Sequence, residues 1–111
     1  MAFDVITPVK MGSGEIGLTL TTFRTTPADS VDLVKNIDIA NNGASIATLS
    51  VYLVPSGGVA DDTNILMPSV TIKRNNIVQW TGVQVLNSGD TIQAISSIVD
   101  VALHVSGGNG I

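Results

Sequence analysis

His104 is the single histidine of the 111-residue sequence, and there is no cysteine. Zinc sites draw several converging ligands from Cys, His, Asp and Glu, so a lone imidazole without a thiolate lacks a donor set. Val101, Leu103 and Val105 alternate with Ala102, His104 and Ser106, which places His104 on the outer side of a strand. Asp61-Asp62 with Asn64 offers oxygen ligands, but the spacing matches no EF-hand loop and reads as a capped loop. Met11-Gly12-Ser13-Gly14-Glu15 has the glycines of a phosphate cradle without the Lys-Ser/Thr that follows them, and reads as a hinge. No Gly-x-Ser-x-Gly elbow or Ser-x-x-Lys pair is present to activate a hydroxyl nucleophile. Acidic residues fall in turns or alternate outward, where an acid–base pair has no support. The sequence therefore assigns no catalytic, cofactor-binding or metal-ligating residue, and the expectation is a protein that is not an enzyme.

Two aromatics widen the choice. Trp80 and Tyr52 on a β-framework would resemble the platforms on which sugars stack, so carbohydrate stands as an alternative ligand. Aromatics are only 4% of residues, which favours a core or interface role for the one tryptophan. Five cations, Lys10, Arg24, Lys35, Lys73 and Arg74, are scattered in a chain of net charge −4. Without a basic stripe the phosphate contribution to nucleic-acid affinity is missing, so no nucleic-acid partner is expected. Arg24 beside Phe23, and Lys73-Arg74 beside a turn, are candidate rim contacts. Mean hydropathy is +0.42, yet runs such as Val51 to Val54 are far shorter than the roughly 20 residues of a spanning helix. No basic segment precedes an apolar core at the N-terminus, so the reading is a soluble product made in a cytoplasm. The charged fraction is 13%, about half the roughly 25% of ordinary soluble chains. A surface so poor in charge suits a subunit docked to other protein.

The elements that carry these residues read as strands. Ala47, Leu49, Val51 and Leu53 alternate toward one face of a central strand that Pro55 and Gly57-Gly58 terminate. Val31, Leu33, Ile37 and Ile39 share a parity interrupted by Lys35, and Asn41-Asn42-Gly43 is a turn signal, so 31–40 and 45–54 read as an antiparallel hairpin. Ile16, Leu18 and Leu20 alternate until the parity changes near Thr21 to Phe23, which marks a bulge or strand end. Residues 59–67 read as a loop with one helical turn, and Val70 and Ile72 as a strand after Pro68. Gly82 sits at a parity switch between Trp80 and Val83, a second bulge signal. Strand signals every 8 to 14 residues predict an all-β fold: an antiparallel β-sandwich or jelly roll of about seven or eight strands in one domain. The expected division is an extended N-terminal arm over 1–14, a β-sandwich over 15–106 and a flexible C-terminal tail over 107–111.

The succession of the hairpin, Val51-Tyr-Leu-Val-Pro-Ser-Gly-Gly58, Asp61-Asp-Thr-Asn-Ile-Leu66, Ile77-Val-Gln-Trp-Thr-Gly82 and Val85-Leu-Asn-Ser-Gly-Asp-Thr-Ile92 resembles small all-β virion structural proteins of tailed bacteriophages. Size and cysteine-free composition look closest to capsid staple or decoration proteins of the epsilon15 type. That resemblance implies a jelly-roll-like domain that dimerises on the outer surface of the head and clamps neighbouring major capsid proteins. Its partners would be the major capsid protein and a second copy of itself, with neck, tail-joining or tail-fibre settings as alternatives. Phe3, Val5, Ile6 and Val9 of the arm, Arg24, and Tyr52 or an edge strand are the residues expected to make these contacts.

Overall fold

A computed structural model describes residues 6–110. Eight strands follow one another: β1 (Ile6–Glu15), β2 (Thr21–Thr25), β3 (Val31–Asn41), β4 (Ala47–Val54), β5 (Ile65–Ile72), β6 (Ile77–Leu86), β7 (Thr91–Ser96) and β8 (Val101–Gly110). β1 pairs with β8, β2 with β7, β3 with β6 and β4 with β5, all antiparallel. The four pairs are nested about one point, the turn after β4, where Gly57 takes φ 76° and Gly58 N–H donates to Pro55 O. The chain is thus one long ribbon folded at Gly57-Gly58, and wrapping it brings β3 against β8 and β4 against β7. Two four-stranded sheets result, β1-β8-β3-β6 and β2-β7-β4-β5. That is the double Greek key of a jelly roll, the expected fold class.

The core lies between the sheets. Ile37 and Ile39 of β3, Leu49 and Val51 of β4, Ile92 and Ala94 of β7, and Leu103 and Val105 of β8 are all at or below 1% exposure. Burying one such Ile or Leu stabilises by about 2 kcal/mol. β4 is an interior strand with Ala47, Leu49 and Val51 inward as expected, but the ladder shifts around Val51, so that Leu53, expected with them, is half-buried and Val54 is buried at 1%. Among the described residues no helix is long and apolar enough to cross a membrane.

Four local readings differ from the structure. β3 and β4 are not a hairpin: they lie in opposite sheets. The buried Asn41 makes this corner, with Nδ2 donating to Ser45 O and Ile72 O (2.9 Å each) and Oδ1 accepting from Gly43 N–H (2.9 Å). A side chain that bonds across the sheets turns Asn-Asn-Gly into a crossover rather than a tight hairpin. Second, Lys35 is not an intrusion in one face. The ladder shifts between Val34 and Asn36, so Asp32 and Val34 point inward before the shift and Ile37 and Ile39 after it. Third, Leu18 and Leu20 lie between strands and are exposed, while Ile16 is buried. Fourth, β5 starts at Ile65 and runs through Pro68, which an edge strand tolerates. Asp61 caps the preceding turn through Thr63 N–H (2.9 Å).

The expected arm and tail also differ from what is seen. Residues 6–15 pair with residues 102–110 along a ten-residue strand on each side. Gly107 permits this: a Cβ there would overlap the Leu33 carbonyl oxygen of β3. Gly107, read as part of a loose tail, is therefore the residue that lets β8 approach β3, while a Cβ at Gly108 would meet Ile6 of β1.

Candidate functional site

Chemistry-bearing residues do not converge. His104 is exposed on β8, opposite Asp38 of β3 and Ser13 of β1. Gly12-Ser13-Gly14 belongs to β1 and makes no cradle. Asp61 and Asp62 are exposed, and a hydrogen bond from Thr63 holds the Asp61 carboxyl below its ordinary range. Among the described residues no three His, Cys, Asp or Glu side chains gather where they could hold a metal.

Arg24, expected at a rim, is engaged inside the sandwich edge. Its Nε donates to Asp32 Oδ2 (2.8 Å) and Nη2 to Oδ1 (2.9 Å), a bidentate pair between β2 of one sheet and β3 of the other. Asp32 is fully buried and also accepts from Thr26 Oγ1 (2.9 Å) and Asn109 Nδ2 (2.9 Å). Burial pushes the Asp32 carboxyl up, but hydrogen bonds from Arg24, Asn109 and Thr26, with the Arg24 charge, hold it below the usual carboxylate range. The same hydrogen bond raises Arg24, against its own desolvation. This network ties the β2–β3 corner to the end of β8. The sequence reading missed it, because the Lys35 shift disguised Asp32 as an outward residue.

The remaining expected contact residues fall in different places. Phe3 and Val5 lie outside the described residues. Ile6 is 53% exposed at the start of β1. Val9 is half-buried and packs on the core. Tyr52 is half-buried on the interior strand β4, between Ile65 and Gln93. Trp80 is half-buried and packs against the core, with its ring beside Gly82.

What does converge is an apolar band on the outer face of the β1-β8-β3-β6 sheet. Pairing aligns Pro8, Gly108, Leu33 and Val85 in one row across all four strands, and Ile6, Gly110 and Val31 in the next. Directly opposed residues share a face. Ile6 and Val85 are 53% and 56% exposed, and Val83 on β6 is 59% exposed. Between them Leu33 and Val31 are half-buried and Gly108 and Gly110 buried, so the exposed apolar side chains gather at the two ends of these rows. Beside the band, an open groove of about 420 Å³ separates the β5 and β6 edges, floored by Leu53, Leu66 and Leu86.

No protein-family model matches the sequence, nor does any curated protein. Solved virus structures do match its fold. The structure of infectious bursal disease virus Gx strain has a chain with TM-score 0.50 and 11% identity, over 96% of this chain and 32% of that one. The T13 particle of the same virus gives TM-score 0.48 at 7% identity, over 96% of this chain and 30% of that one. The chain thus spans about a third of the length of these neighbours, and at 11% identity the likeness to the first is one of fold alone.

Proposed function

We propose that this protein is a structural component of a virion, a decoration or staple protein that binds the outer surface of a phage head. In this reading it clamps neighbouring major capsid proteins non-covalently, as its resemblance to epsilon15-type staples implies. The observation that carries the proposal is the apolar band of Ile6, Pro8, Val31, Leu33 and Val85 on one outer sheet face. It lies on a jelly roll whose fold neighbour comes from a virus structure. A clamp needs area rather than reactive groups: a stable contact buries about 1,600 Å², and repetition over a shell makes each rebinding intramolecular.

The band supplies the shell contact, with Ile6 at its β1 end. Phe3 and Val5, which precede Ile6 in sequence, are proposed as further residues of the shell contact. Val9 acts by packing β1 on the core, and Arg24 by fixing the corner beside β8. Self-association as a homodimer completes the reading.

Co-sedimentation with undecorated heads tests this. Wild-type protein saturates the heads, and Ile6→Lys lowers affinity at least tenfold with an unchanged melting curve. Equal binding by Ile6→Lys overturns the band as the contact. Attachment to tails or necks alone overturns the decoration role.

A further inference from the structure

The two sheets have four edge strands, and they are not equally protected. β2 has five residues with a shift between Thr22 and Arg24. β5 carries Pro68, and Ser69 with φ 43° breaks its outer line. β1 carries Pro8, Lys10 and a shift between Lys10 and Gly12. Proline, lysine, shortness and bulges are the devices that stop an edge from pairing with another chain. β6 is ten residues long, Ile-Val-Gln-Trp-Thr-Gly-Val-Gln-Val-Leu, with no proline and no charged residue. Its single irregularity, Gly82-Val83 opposite Lys35, lies mid-strand. Ile77, Val83 and Val85 are 71%, 59% and 56% exposed.

We infer that the β6 edge is a self-association surface, on which β6 of a second copy pairs antiparallel to make a continuous eight-stranded sheet. The occupant follows from charge placement along this edge. Lys73 and Arg74 stand in the turn before Ile77, at one end. At the other end, Thr63 and Asn64 of the Asp61-Asp62 loop line the same groove as Leu86, so the Asp61-Asp62 pair supplies the negative charge there, while the Asp90 carboxylate is taken up by Ser56 and Asn87 N–H (2.9 and 2.8 Å). A two-fold axis near Thr81 sets the cations of each copy against the carboxylates of the other, twice over. It also brings Ile77 beside Val85 of the second copy, since both stand on the outer face opposite Ala40 and Leu33. Such a contact is isologous and closes at two copies. A parallel arrangement would set like charges together. The inference gives the homodimer of the proposed function a definite surface, and rests on that reading only for the expectation of two copies.

Sedimentation velocity on the full chain tests it. Wild-type protein sediments at twice the 11.5 kDa chain mass, and Val83→Lys, at an exposed position, sediments as a folded monomer. Lys73→Glu with Arg74→Glu raises the dimer dissociation constant at least tenfold, and adding Asp61→Lys with Asp62→Lys restores it. A monomeric wild type, or Val83→Lys and the charge variant both dimerising as wild type, overturns the inference. The proposed function is read separately. The Lys73→Glu/Arg74→Glu protein, if it sediments as a monomer yet still coats heads, leaves that function intact, whereas a β6 dimer that never binds heads overturns the function alone.

Discussion

Arg24 on β2 and Asp32 on β3 clasp each other across the two sheets through paired hydrogen bonds of 2.8 and 2.9 Å. Thr26 and Asn109 complete the carboxylate's shell, so strands near both ends of the chain meet on one buried oxygen pair. Asp32→Ala strands the Arg24 guanidinium, 19% exposed, beside an apolar hole. The loss should be about 3 kcal/mol, since removing one partner of a buried pair leaves the other uncompensated. Urea denaturation checks it; a change below about 0.5 kcal/mol, the scatter of surface substitutions, contradicts the account.

The same carboxylate sets an acid dependence. Its folded-state value lies below the ordinary one, so its contribution is complete above the unfolded carboxylate value of about 3.9. It is lost as pH falls through the depressed folded value. Asp61 shifts the same way through its bond to Thr63, but is exposed and contributes little. Wild-type stability should therefore fall steeply below about pH 4, and Asp32→Asn should flatten that fall. Parallel acid curves for the two proteins would contradict the assignment.

Gly107→Ala should cost about 3 kcal/mol, at the upper end of overpacking penalties, because the new methyl meets the rigid Leu33 carbonyl of β3. Gly57→Ala has open space at its Cβ and only its φ of 76° to resist it, so about 1 kcal/mol is expected. Thermal melts of the two variants rank them, and a Gly57 effect as large as that at Gly107 would refute close strand approach as the cause.

Trp80 reports on the carbohydrate alternative. Because the indole packs on the core and is half-buried, its emission should lie to the blue of free tryptophan and resist acrylamide, and Trp80→Ala should cost about 3 kcal/mol. Full quenching, with sugar-dependent emission, would instead make it a stacking platform.

How far the sequence carried these conclusions depended on how regular each strand is. β8 alternates through Val101, Leu103 and Val105 and was legible as a half-buried strand, and β4 was legible as a central strand through Ala47, Leu49 and Val51 although its ladder shifts on either side of Val51. A shift does fall at Phe23, between Thr22 and Arg24, but the alternation it was read against is not one strand, since Leu18 and Leu20 lie exposed between β1 and β2. At Lys35 the same signal was hidden, since apolar residues stand on both sides of the shift, and with it went Asp32 and its network. The strand pairing was not legible at the β3–β4 corner. Asn41-Asn42-Gly43 fits a tight hairpin locally, and only the distant Ile72 carbonyl bound by Asn41 directs the chain to the opposite sheet. Gly107 was read as flexible because close approach to a backbone leaves no pattern but glycine itself. The apolar band was legible residue by residue, but not as a patch. Ile6, Leu33 and Val85 meet only through the pairing of β1, β8, β3 and β6.

The account stands most directly on where the molecule sits. Cryo-electron microscopy of virions whose genome encodes it should place this jelly roll on the outside of the head, with Ile6, Leu33 and Val85 buried against the shell. A head without it, or a bound molecule whose β1-β8-β3-β6 face looks outward to solvent, would contradict the claim that this face is the contact.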